Sequence, residues 1–197
     1  VASMNVARST AYLTVVRGAN QILGFVSLAL FTQSLGAATM GSFFLFHTIV
    51  AISTTLSGIG INGAVKKRLS EGKKSSTILG TAVVIKGIIL TAVGAAVLLG
   101  RQPIADYVGA ELSVVLVITI FLDEYSGLFR NTIAGEMSVD KTAIVQFAKQ
   151  VVYVVIGLSL VGLGYGVQAL AYGLAAGYMS ELLVANYYRE ASIGRPR

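Results

Sequence analysis

Residues 77–100 read TILGTAVVIKGIILTAVGAAVLLG, and this stretch decides the fold class. It holds one charge, Lys86, in 24 positions. About 20 consecutive apolar residues in a helix cross the hydrocarbon core of a bilayer. The apolar residues run on without period-two alternation, so a strand is excluded, as is the barrel pattern of alternating segments about ten residues long. Five more segments of similar length flank it, giving six predicted transmembrane helices over approximately 14–35, 41–65, 77–100, 112–134, 142–162 and 167–188. The expected fold is all-α, a single six-helix membrane domain occupying 1–197.

Composition supports this reading. Apolar residues make up 55% of the 197 and charged residues 12%, against about 25% charged in an average soluble domain. So few charges do not cover a water-facing surface. The absence of Cys excludes a disulfide framework and thiolate metal sites, and one His excludes a His-cluster site. No metal and no cofactor are expected. Serine-hydrolase, zinc-protease and P-loop signatures are absent, so the chain does not read as an enzyme. Gly162-Leu163-Gly164-Tyr165-Gly166 joins two predicted spans and reads as a tight turn rather than a phosphate cradle.

The net charge of +6 reads as membrane topology and not as nucleic-acid binding, because the basic residues fall in blocks between apolar segments. Thirteen basic residues lie on the side of the N-terminus: Arg8, Arg17, the five between 66 and 74, Arg130, Lys141, Lys149 and Arg189, Arg195 and Arg197. Arg101 lies opposite, and Lys86 lies within the third span. The bias predicts a multi-pass protein of the cytoplasmic membrane with both termini and the basic 66–76 loop in the cytoplasm. Residues 101–111 read as a short interfacial turn. The GxxxG of Gly173 and Gly177 reads as a helix contact, with packing inside one chain favoured over dimerisation.

Charged and polar residues inside the spans carry the functional signal, because each charge costs at least about 2.5 kcal/mol near the bilayer centre. Arg17, Asn20, Gln21, Gly24 and Ser27 share one face of the first helix. Arg17 either faces a lumen or snorkels to headgroups, while Asn20 and Gln21 either line that lumen or bond to another helix. Lys86 in the third span and Asp123 or Glu124 in the fourth lie at similar depth with opposite sign. They are expected to pair, as a structural ion pair ahead of a proton relay. Arg130 either joins that network or binds lipid phosphate. His47, in the second span, reads as a packed polar residue ahead of a ligand.

Five segments together resemble a known family: RGANQILG at 17–24, LGAATMGSF at 35–43, GIGINGAVKKR at 58–68, LFRN at 128–131 and VGLGYGVQAL at 161–170. In this order they resemble the N-terminal six-helix lobe of the polysaccharide-biosynthesis flippases, which belong with the MATE exporters to the MOP superfamily. The resemblance implies a lobe of an alternating-access transporter that flips a lipid-linked oligosaccharide. It makes Arg17, Asn20, Gln21 and His47 lumen candidates, with membrane lipid, a lipid-linked sugar and a second six-helix lobe as partners. The second lobe is expected either from a longer chain or from another copy. Two other functions stand beside it. A MATE-type cation antiporter is favoured by Asp123 and Glu124 and disfavoured by the lack of an acid on the first helix. A non-transporting membrane scaffold is the other.

Overall fold

The computed structural model describes residues 2–58, 60–71, 75–136 and 138–194, with side chains from Thr14 onward except at Ser75 and Val139. Seven helices follow in order: α1 (Ala2–Gly58), α2 (Ile61–Ser70), α3 (Ser75–Leu99), α4 (Arg101–Val108), α5 (Ser113–Gly135), α6 (Val139–Gly162) and α7 (Val167–Tyr188). The described residues are helical, with no strand among them.

Helix α1 is two limbs joined at Gly36, whose φ of 78° and ψ of 166° lie in a region nearly closed to residues with a Cβ. The limbs fold back on each other. Phe31 and Phe43 stand about 18 Å apart along an unbroken helix at 1.5 Å per residue, yet both rings lie against Tyr153 of α6, at 5.4 and 6.3 Å between centroids. Gly157 makes this approach possible, because a Cβ there would come within 2.8 Å of the Phe31 ring.

Three expectations about the segments change. The second predicted span, 41–65, is interrupted: its helix ends at Gly58, Gly60 takes the left-handed conformation at φ 69°, and α2 begins at Ile61. The basic 66–76 segment is therefore helical through Ser70 rather than a loop; Lys73 and Lys74 lie outside the described residues. The 101–111 turn contains an eight-residue helix, α4, bent by 93° from α5.

Among the described residues, three helices are long and apolar enough to cross a membrane, or four counting the α4–α5 pair. The 45-residue stretch Thr14–Gly58 is one of the three and contains the break at Gly36. Helix α7 falls outside that set because its 22 residues include Gln168, Ser180, Glu181, Asn186 and four tyrosines. Leu170, Gly173, Gly177 and Glu181 are buried in it.

Small residues set the α6–α7 contact. A Cβ at Gly173 would stand 3.0 Å from the Tyr153 carbonyl, and one at Gly177 would stand 2.9 Å from the Lys149 carbonyl. The GxxxG thus joins α7 to α6 within the chain. At one end of the bundle, α2 packs on the end of α5, with Gly135 against Lys66 and Leu69. The C-terminal segment closes the same end: the Gly194 amide donates to the Ser76 carbonyl at 2.9 Å, and the Glu136 carboxylate accepts from the amides of Glu190 and Ala191.

Two apolar clusters result. One gathers Phe31, Phe43, Phe46, Leu90, Leu116 and Leu170 toward the Gly36 end. The other gathers Val65, Leu69, Leu79, Leu128, Phe129 and Ala185 toward the C-terminal end. Outside them, Ile22, Phe25, Ile88 and Leu183 are exposed, as lipid-facing positions are.

Candidate functional site

Charged and polar side chains link the helices through the interior. Lys86 is fully buried in α3 and Glu124 is buried in α5. They form an ion pair, and the Lys86 ammonium also donates to the Glu124 backbone carbonyl at 3.0 Å. Asp123, the other expected partner, lies instead beside Tyr178 of α7. Adjacent residues on a helix point about 100° apart, so the two acids serve different neighbours.

Arg130 joins a different pair from the one expected. It bonds Glu181, which is fully buried in α7, and Lys149 of α6 approaches the same carboxylate at 3.6 Å. Lys149 also sits over the Tyr178 ring at 4.7 Å. Lys149, counted above as a flanking charge, is thus an interior residue. Three cations (Lys86, Arg130, Lys149) face three carboxylates (Asp123, Glu124, Glu181), so the network balances without a surplus buried charge, the costly arrangement in a low-dielectric interior. Sequence reading missed Glu181. Its signal was available as a lone acid 14 residues into an otherwise uncharged span.

Two clefts open onto this network. A polar one of about 350 Å³ is lined by Thr54, Thr55, Gly58, Gly60, Asn62, Asp123, Glu124, Gly127 and Arg130. The helix break at Gly58–Gly60 forms one wall, and Asn62 at the start of α2 presents a buried side-chain oxygen with no protein partner. A smaller cleft of about 190 Å³ is lined by Phe43, His47, Lys149, Gln150, Tyr153, Leu174 and Tyr178. Asp123 of the first cleft lies beside Tyr178 of the second, so the two clefts lie on either side of one contact.

The first-helix candidates divide. Ser27 is buried and within 3.4 Å of the Gln150 amide, and Gly24 faces the same amide. Asn20 is half-buried, with its side-chain oxygen enclosed and unpartnered. Gln21 and Arg17 are exposed. The predicted polar face is therefore split: Asn20, Gly24 and Ser27 turn toward α6, Gln21 turns away, and Arg17 stands at the open end of the row. His47 lines both the smaller cleft and an adjoining surface recess. Among the described residues no group of three His, Cys, Asp or Glu is placed to hold a metal ion.

Apolar helices around a charge-balanced interior with water-accessible clefts define a multi-pass membrane protein. The chain matches the polysaccharide biosynthesis protein family over residues 6–192 and belongs to it. It is also similar to a probable low-salt glycan biosynthesis flippase, Agl15, of Haloferax volcanii, at 32% identity over 179 residues. That match covers 91% of this chain and 38% of the relative, so the chain spans well under half of that protein's length. No solved structure matches it.

Proposed function

We propose that this chain is one six-crossing lobe of a transporter that flips a lipid-linked glycan precursor across the cytoplasmic membrane. The two limbs of α1 with α3, α5, α6 and α7 are the six crossings, and both termini lie in the cytoplasm. A second lobe faces it, because one lobe walls only one side of an alternating-access cavity. Family membership supports the reading, and the polar cleft is the observation that carries it.

The cleft's chemistry suits a sugar. Asn62, Thr54 and Thr55 offer amide and hydroxyl groups, and Asp123 and Glu124 offer acceptors to sugar hydroxyls. Glu124 and Arg130 already have counter-charges in Lys86 and Glu181, so a neutral glycan binds beside them without breaking an ion pair. Arg17, exposed on the opening helix, supplies the planar five-donor fork that matches phosphate oxygens. The apolar tail of the carrier stays in lipid.

The test is surface glycan in a flippase-null strain complemented with the full-length transporter at matched membrane levels. Asp123→Asn keeps the shape of the side chain and removes an acceptor, and should lower glycan export about tenfold, the cost of a charge-assisted hydrogen bond. Arg17→Ala should do the same, and Arg17→Lys should restore export in part. Wild-type glycan from both Asp123→Asn and Arg17→Ala would refute the assignment of the cleft.

A further inference from the structure

A further opening, separate from both clefts, lies between α2 and α3. It is a groove of about 420 Å³. Ile61, Ala64 and Arg68 line it from α2, at spacings of three and four residues that place them on one stripe. Thr77, Thr81 and Ile85 line it from α3 in the same manner. Residues 71–74 connect the two helices, so Arg68 and Thr77 line the groove next to the connection, while Ile61 and Ile85 line it farthest from the connection along their own helices.

Both walls therefore carry the same gradient. The end next to the connection is polar and cationic, and the far end, about 12 Å along α3 by helical rise, is aliphatic. Lys66 and Lys67 are exposed on α2 beside Arg68. A phospholipid has this polarity, with a charged phosphate at the interface and an acyl chain pointing to the bilayer centre. Basic pockets between helices at the membrane surface hold anionic headgroups for this reason.

We propose that the groove between α2 and α3 binds one anionic phospholipid, with its phosphate on the Arg68 guanidinium and an acyl chain laid between Ala64 and Thr81 as far as Ile85. The lipid site does not rest on the glycan reading above. It fixes the position of α2, which follows the helix break forming a wall of the polar cleft, so the lipid composition of the membrane acts on the cleft through α2.

The chain contains no Trp, so a single introduced indole reports without background. Ile85→Trp places it at the aliphatic end of the groove lining, and Ile88→Trp places it outside the lining at a more exposed position. Each protein is reconstituted in phosphatidylcholine vesicles containing brominated phosphatidylglycerol or brominated phosphatidylcholine at equal mole fractions. At Ile85→Trp, half-maximal quenching should need about fivefold less phosphatidylglycerol, the preference expected for one arginine near the surface. Ile88→Trp should show equal quenching by both, and Arg68→Gln should abolish the preference at Ile85→Trp. Native mass spectrometry of the Trp-free protein gives a readout that does not depend on the Ile85 substitution: phosphatidylglycerol should remain bound to wild type and be lost from Arg68→Gln. Equal quenching at Ile85→Trp, or a preference and retention that survive Arg68→Gln, would overturn the proposal. Displacement of the brominated lipid by an equimolar polyprenyl phosphate would overturn it in favour of an isoprenoid carrier.

Discussion

Lys86 and Glu124 are the residues on which the interior depends most directly. Both are buried, and each is the other's counter-ion. Removing one leaves an uncompensated charge, which costs about 3–5 kcal/mol, whereas replacing both removes the charge and its penalty together. Lys86→Met should therefore sharply lower the yield and detergent melting temperature of the protein, and Lys86→Met with Glu124→Gln should recover most of the loss. Equal destabilisation by the single and double variants would show that the pair does not act as a unit. The Glu181 site should behave differently, because two cations share one acid. Glu181→Gln strands both Arg130 and Lys149, while Lys149→Gln leaves Arg130 in place and removes a cation that is partly exposed. Melting curves of the two variants should place Glu181→Gln well below Lys149→Gln.

Among the elements, the α6–α7 pair depends on the absence of side chains. A methyl at Gly177 meets the Lys149 carbonyl at 2.9 Å, so the backbones must separate, and overpacking of this kind costs about 1–3 kcal/mol. Gly162 sits at the end of α6, where an added methyl would have nothing within 4 Å, and serves as the control. Gly177→Ala should lower the melting temperature in detergent while Gly162→Ala leaves it unchanged. The turn at Gly36 depends on conformation instead. Space for a methyl exists there, but the backbone angles are those of glycine, so Gly36→Ala should cost about 1–3 kcal/mol through strain alone. A Gly36→Ala protein as stable as wild type would mean that the two limbs do not need this sharp reversal.

The whole molecule has two ends of different character. One gathers α2, the start of α3, the end of α5 and the C-terminal segment, tied by the Gly194–Ser76 and Glu136–Ala191 hydrogen bonds. The other holds Gly36, α4 and the turn at Gly164. The interior positions of Lys149 and Arg130 remove two cations from the topology count, leaving eleven basic residues against one. In the proposed topology that ratio puts the first end in the cytoplasm. Because the chain has no Cys, single cysteines at Ser70 and Gly164 report orientation directly. An impermeant maleimide added to intact cells should label position 164 and leave position 70 unlabelled until the membrane is opened; the reverse pattern would invert the topology.

The sequence by itself determined the class of structure. Long apolar runs with few charges admit only helices in a bilayer, since every backbone polar group must be satisfied within its own segment. It also marked most of the charges that link the helices, because a charge inside such a run is conspicuous against its neighbours: Lys86, Asp123, Glu124 and Arg130 stood out in this way. Partner choice was a different matter. Depth along a span is readable from residue number, but azimuth depends on how each helix rotates against the others. Only the tertiary structure decided that Glu124 meets Lys86, that Asp123 lies beside Tyr178, and that Arg130 finds Glu181. Local breaks were likewise hidden. An apolar run reads the same whether it continues or reverses, so the interruption at Gly60 and the helical form of the 101–108 segment emerged from packing, where α2 lies against α5 and α4 folds back at 93°.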